Sequence, residues 1–444
     1  MKVIVLGNNH AGTAAVTHIL KENPGTKVVS YDRNDNISFL ACGIALWVSN
    51  TIKKPDGLFY SSPEKLAALG AEVHMRHEVL SIDFKAKEVN IKNLETGDTF
   101  TDSYDKLVMA TGSWPIKPPI PGIDNDGIKF SKLFQHAENI IETIKSDRVK
   151  NITVVGAGYI GIELVEAFYK HGKNVTLVEA QDRILCNYFD NEFTEKPTKS
   201  LEDKGIAVKT QEKVMEFIGE NGHVTKVVTD KGVYPADMVI MSVGFKPVTD
   251  FAKGHLEMLP NGAIKVDEYM YTSDPDVLAI GDCASIYSNA INDTAYIALA
   301  TNAVRMGILA GKNIINKSIK HPGTQGSNAI SIFEYKMAST GLSETAAKAR
   351  GLNVKTNTVT DTNRPEFMPT YDDVQIKVVY DSETRRLLGA QILSTGDYTQ
   401  CIHTLSLAIQ QQLTVDQFAL TDFFFLPHFN KPVSYLTSVA LDAK

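Results

Sequence analysis

The sequence predicts an α/β fold made of two βαβ units and a C-terminal α+β unit, and three observations carry that prediction. An apolar strand, a glycine-rich turn, a helix and a second strand ending in an acid occur twice. Beyond His321-Pro322-Gly323 the pattern changes to strand-like stretches and one helix, with no nucleotide motif. The length of 444 residues leaves room for about three domains.

The first unit runs from Lys2 to Leu6, through the turn Gly7-Asn8-Asn9-His10-Ala11-Gly12 and a helix to Leu20, into Lys27 to Tyr31 closed by Asp32. The second runs from Asn151 to Val155, through Gly156-Ala157-Gly158-Tyr159-Ile160-Gly161 and a helix to His171, into Asn174 to Val178 closed by Glu179. Between them, Thr111 to Gly122 carries Pro115, Pro118, Pro119 and Pro121, which prevents helix and predicts an extended domain connection. A second reversal falls at Gly244-Phe245-Lys246-Pro247. After it the short apolar run Val277 to Ile280, ending in Gly281-Asp282, reads as a strand returning to the first unit. Tyr296 to Ile315 is interrupted by Asn302, Arg305 and Lys312 and reads as an amphipathic helix. In the last unit the expected strands are Ala329 to Phe333, Gln375 to Tyr380 and Leu387 to Leu393, followed by a helix from Tyr398 to Gln411.

A composition of 43% hydrophobic and 22% charged residues excludes intrinsic disorder. The net charge is −7 and no basic run exceeds a pair such as Lys53-Lys54 or Arg385-Arg386, so neither nucleic acid nor an anionic membrane is an expected partner. The four cysteines, Cys42, Cys186, Cys283 and Cys401, form no CxxC pair and suit a reducing, cytoplasmic setting. Val3 to Leu6 is too short for a signal-peptide core. No metal is expected.

In a dinucleotide fold the glycines permit a tight turn and close backbone approach, so that helix N-terminal amides bind pyrophosphate while the later acid takes ribose hydroxyls. The second unit fits fully, with Glu179 lying 18 residues past Gly161. A carboxylate there repels a 2′-phosphate, which selects NADH over NADPH. The first unit has Asn9 where the middle glycine belongs, while Gly7, Gly12 and Asp32 are in place. Two such units in one chain imply a bound FAD at the first and an exchanging NADH at the second. Asp282 is a candidate flavin contact, its alternative role being a turn cap.

Cys42 follows Asp32 closely in sequence. The next cysteine is Cys186, and position 47 is Trp47, which argues against a dithiol mechanism. A single thiol can instead cycle between thiolate and sulfenic acid, or form a mixed disulfide with a small thiol. His10, in the first glycine-rich turn, is the candidate to stabilise that thiolate and to donate a proton. Cys186, Cys283 and Cys401 read as structural.

These residues carry a resemblance. The pairing of Gly7-Asn8-Asn9-His10-Ala11-Gly12 with Ser38-Phe39-Leu40-Ala41-Cys42-Gly43, the Gly156-to-Gly161 motif, Ala279-Ile280-Gly281-Asp282 and Asp422-Phe423-Phe424-Phe425-Leu426-Pro427-His428-Phe429 resemble the single-cysteine flavoprotein reductases. These are the NADH oxidases, NADH peroxidases and coenzyme A-disulfide reductases. The likeness covers essentially the whole chain and is strongest to the water-forming NADH oxidases, through Leu299 to Arg305 and Arg364 to Pro369.

The resemblance implies a glutathione-reductase-like fold: an FAD-binding domain in two segments (residues 1–115 and 247–322), an NADH-binding domain (116–246) and a C-terminal dimerisation domain (323–444). It implies a homodimer or higher homo-oligomer. Cys42 becomes the redox thiol, His10 its partner, Tyr159 the gate over the flavin, and Arg305 a support behind the histidine. The implied FAD contacts are Gly7, Asn9, His10, Ala11, Gly12, Asp32, Cys42, Thr111, Gly112, Gly281 and Asp282. Those to NADH are Gly156, Gly158, Tyr159, Ile160, Gly161, Glu179 and Gly244. Phe425 and His428 are expected to approach the active site of the partner subunit. The implied reaction takes NADH and O₂ and forms water by four electrons, through flavin and a Cys42 thiolate/sulfenic acid cycle. An NADH peroxidase is the alternative. A coenzyme A-disulfide reductase is disfavoured by Cys42-Gly43-Ile44-Ala45-Leu46-Trp47 and by Phe425, an aromatic with no hydroxyl. A redox-sensing flavoprotein lacks any partner-binding tail in support.

Overall fold

Lys2–Leu6 and Lys27–Asp32 are largely apolar because their parallel sheet is buried in one core with the helix His10–Glu22 and with Ile82, Val89 and Ile91 of the antiparallel strands His77–Asp83 and Glu88–Asn93. They pair in register from Lys2 opposite Lys27 to Leu6 opposite Tyr31 in the computed structural model, which describes residues 1–444. The helix between them, His10–Glu22, buries Ala11, Ala15, Val16 and Ile19 against the sheet. The five strands lie in the order Val277–Ala279, Lys106–Met109, Lys2–Leu6, Lys27–Asp32, Ala71–Met75, all parallel. The chain leaves Lys2–Leu6 to one side and later returns on the other, so a crevice opens between Leu6 and Met109 at the strands' C-terminal ends.

A second parallel sheet repeats this plan: Ala207–Lys209, Asn174–Val178, Asn151–Val155, Met238–Met241, Ile128–Phe130. Its crevice lies between Val155 and Met241. The proline-rich crossing is extended as expected, and Ser113–Pro115 pairs antiparallel with the returning Phe245–Pro247 to make a two-stranded ribbon between the units.

The last unit is an antiparallel sheet in the order Asn328–Ile332, Tyr335–Gly341, Leu387–Ser394, Asp373–Asp381, Val354–Thr362. Its central strand Leu387–Ser394 is buried along its whole length and supports the helix Ile402–Gln410. That helix is shorter than the expected span from Tyr398, because Thr399–Cys401 forms a tighter 3₁₀ turn. Leu420, Phe424, Phe425, Leu426 and Phe429 stand exposed together, an apolar patch of the kind that marks an association surface.

The helix expected over Tyr296 to Ile315 is confined to Ala300–Asn313. Leu299 is extended, and Ala298 and Leu299 line the cleft described below. Glycines in this helix allow close contact with His10–Glu22: a Cβ on Gly307 would lie 2.4 Å from the Ala11 carbonyl oxygen. No helix is long and apolar enough to cross a membrane.

Candidate active site

Both crevices open into one cleft of about 1450 Å³, larger than the ~300–1000 Å³ usual for a single small ligand. The two glycine turns are built alike. Gly7 has φ +95° and its Cβ would meet the Ala110 carbonyl oxygen at 2.4 Å; Gly156 has φ +101° and would meet that of Ser242 at 2.5 Å. Gly12 and Gly161 sit over the first glycine of their own turns, at 1.7 and 2.0 Å from its carbonyl oxygen. No side chain is possible at these four positions. Gly158 instead faces open space that a side chain would fill, where a pyrophosphate fits against the helix N-terminus.

The closing acid of each unit holds its turn in the same way. Asp32 accepts from the Asn8 amide at 2.6 Å and the Asn34 amide at 2.8 Å. Glu179 accepts from Ala157 at 2.7 Å and Gln181 at 2.8 Å. Burial pushes the Asp32 carboxyl upward against those bonds. On the rim of the first turn, Gln135 donates to Asn34 and Asp35 while its buried Oε1 has no partner. A bound dinucleotide hydroxyl would satisfy it. The residues present therefore fit FAD at the first turn and NADH at the second.

Of the expected site residues, Gly7, Asn9, His10, Ala11, Asp32, Cys42, Thr111, Gly112, Gly156, Gly158, Tyr159, Ile160, Glu179, Gly244, Gly281 and Asp282 line the cleft. Gly12 and Gly161 shape it from behind. Asp282 is more than a turn cap: its Oδ2 accepts from Ser113 Oγ at 2.8 Å, and Lys132 Nζ lies 3.7 Å away. Lys132 also donates to Ser113 Oγ at 2.9 Å, and burial pulls its ammonium below the ordinary value with Asp282 opposing.

Cys42 lies in the 3₁₀ turn Ala41–Gly43 and is exposed to the cleft. The enclosing walls nevertheless push its thiol upward, with Glu163 adding a second, electrostatic push. Glu163 is one helical turn beyond Tyr159 and is itself raised to about 7 by burial and by Glu166. His10 is hydrogen-bonded through Nδ1 to the Tyr60 hydroxyl at 3.0 Å, the rings stacked with centroids 5.7 Å apart. Burial lowers its pKa, with Asp282 opposing the fall and Lys132 adding to it.

Arg305 does not join this group. Its guanidinium donates to Asn302 Oδ1 and Thr324 Oγ1, and the residue is absent from the cleft lining. Phe425 also lies outside the cleft, in the exposed apolar patch. Cys283 is buried, and Cys186 and Cys401 are half-buried, Cys186 in the cleft wall beside Tyr188. Lys132, Ser113, Tyr60, Glu163, Tyr188 and Asn328 were not singled out from the sequence, because none belongs to a local spacing pattern. Tyr159 is held on both sides: its ring lies 4.2 Å from that of Tyr188, and its hydroxyl bonds Asn328 Oδ1.

The signature of the pyridine nucleotide-disulphide oxidoreductases matches residues 1–307, and that of their dimerisation domain matches residues 328–434. The chain is 51% identical over 441 residues to an NADH oxidase of Enterococcus faecalis, covering 99% of this chain and 98% of that one. It is 33% identical over 430 residues to an NAD(P)H coenzyme A polysulfide/persulfide reductase of Pyrococcus horikoshii, covering 96% and 95%. Among solved structures, a water-forming NADH oxidase from Lactobacillus brevis bound to NADH matches with a TM-score of 0.97 at 46% identity, covering 100% of this chain and 98% of that one. With its cleft built on two dinucleotide turns and its length matched from end to end, the chain belongs to the pyridine nucleotide-disulphide oxidoreductase family.

Proposed function

We infer that the protein is an FAD-dependent NADH oxidase that reduces O₂ to water. One observation carries this reading: Cys42, an unpaired thiol exposed to the cleft that both glycine turns share, stands on the Asp282 and His10 side, while the cleft's other thiol, Cys186, stands by Glu179 of the second turn. The reading divides the chain into an FAD domain (1–115 and 247–322), an NADH domain (116–246) and a dimerisation domain (323–444). The make-up of the three large sheets supports that division. The exposed patch around Phe424 and Phe425 supports a homodimer in which Phe425 reaches the partner's cleft. A cytoplasmic location follows from cysteine usage alone.

Flavin, when bound, accepts hydride from the nicotinamide and delivers electrons to oxygen. The chain supplies the rest. Glu179 admits a free 2′-hydroxyl and repels a 2′-phosphate. The Cys42 thiolate attacks the O–O bond of oxygen reduced to the peroxide level: an S–O bond forms, the O–O bond breaks, and the leaving hydroxide takes a proton to become the first water. His10, steadied by Tyr60, relays that proton. The resulting sulfenic acid takes two electrons and two protons, returning the thiol and releasing the second water. Arg305 keeps only an indirect role, through Asn302 and Thr324.

The test is turnover of the flavin-loaded protein with one acceptor at a time. NADH oxidation is expected to be rapid with O₂. Rapid turnover with hydrogen peroxide under anaerobic conditions, with O₂ nearly inert, would contradict the reading and favour an NADH peroxidase.

A further inference from the structure

Tyr159 is the first residue of its helix, immediately past the second glycine turn, and its side chain lies in the cleft between the two dinucleotide sites. On the NADH reading, a nicotinamide bound at the second turn passes this ring, which lines the cleft shared by both turns, to reach the flavin side. The ring is not free to swing. Its hydroxyl is held by Asn328, the first residue of the strand Asn328–Ile332 in the C-terminal unit.

Asn328 is built as a fixed acceptor. Its Nδ2 donates to the Gly326 carbonyl at 2.7 Å, which sets which way the amide faces. Its Oδ1 takes a second bond, from Ser339 Oγ at 2.9 Å, across the antiparallel pair that joins Asn328 to Ser339. Turning the amide over would set its oxygen against the Gly326 carbonyl. The acceptor facing Tyr159 is therefore determined by the C-terminal sheet, not by the NADH domain. Burial keeps the Tyr159 hydroxyl protonated, as a donor must be.

We propose that Asn328 is the latch of the Tyr159 gate, a positioning residue through which the dimerisation domain sets how readily nicotinamide reaches the flavin. The inference rests on the NADH reading above. NADH must break the Tyr159–Asn328 bond before it can stack, so part of its binding free energy is used to open the gate.

The test is anaerobic rapid-mixing of the flavin-loaded protein with NADH, which reads hydride transfer without any acceptor. Asn328→Ala is expected to lower the apparent Kd for NADH about fivefold, the equivalent of one neutral hydrogen bond of ~1 kcal/mol. The limiting rate of flavin reduction is expected to stay as in the parent. Tyr159→Phe removes the other half of the bond and should lower the Kd by the same factor, with no further fall in the double variant. An unchanged or raised Kd in both Asn328→Ala and Tyr159→Phe, at parental flavin content, overturns the latch. A parent whose flavin NADH does not reduce overturns the NADH reading, and the latch with it.

Discussion

Replacing Cys42 by Ser is expected to leave reduction of the flavin by NADH intact and to turn the enzyme into a source of hydrogen peroxide. The serine hydroxyl cannot ionise near neutral pH and cannot cycle through a sulfenic acid, so oxygen leaves at the two-electron level. Peroxide should rise from a trace product to about one per NADH consumed. Because residue 42 is exposed to the cleft and makes no packed core contact, the change should not disturb folding. A coupled peroxide assay, run with and without catalase, measures the yield. Unchanged water formation in the variant would remove Cys42 from the reaction.

The second large effect is on stability. Lys377 is 3% exposed, and its ammonium sits 2.6 Å from Glu192, 2.6 Å from Glu344 and 3.1 Å from Asp190. These three carboxylates, which lie within 4.8 Å of one another, span the junction between the NADH-binding and C-terminal units. Asp190 also accepts from the Glu344 and Thr345 amides and from Gln391. Burial opposes its ionisation, but these bonds and Lys377 outweigh that and pull its carboxyl down to about 2. The stability that Asp190 contributes is thus complete above about pH 4 and is lost as pH falls towards 2. Lys377→Met leaves the buried Asp190 carboxylate without its cation, beside the partly exposed Glu192 and Glu344, and is expected to destabilise the protein by ~3 kcal/mol. Thermal unfolding of the flavin-loaded protein reads this as an early transition. Combining Lys377→Met with Asp190→Asn and Glu344→Gln should recover much of the loss. A midpoint equal to the parent's would contradict the clasp.

The βαβ units were legible almost to the residue, since their signal is local. An apolar run, glycines at fixed offsets and a closing acid each report on backbone geometry within about 30 residues. The same holds for Asp282, which follows a short buried strand. What stayed hidden depends on contacts between distant segments. Lys132 meets Asp282 across 150 residues, Tyr60 reaches His10 across 50, and Asn328 meets Tyr159 across 169. No spacing rule links them. His10 shows the same limit in its chemistry: its position was readable from the turn, but its lowered pKa comes from burial that only the folded cleft supplies. Arg305 shows it for a residue role, because its helix turns the guanidinium towards Asn302 and Thr324.

The central claim, that O₂ is carried to water through Cys42, is tested most directly by the ratio of NADH oxidised to O₂ consumed. An oxygen electrode on the purified flavoprotein, with catalase added late, gives both numbers. The expected result is about two NADH per O₂ with no oxygen returned by catalase, the stoichiometry of a four-electron reduction. A ratio of about one, with half the consumed oxygen returned on adding catalase, would contradict it and make hydrogen peroxide the product.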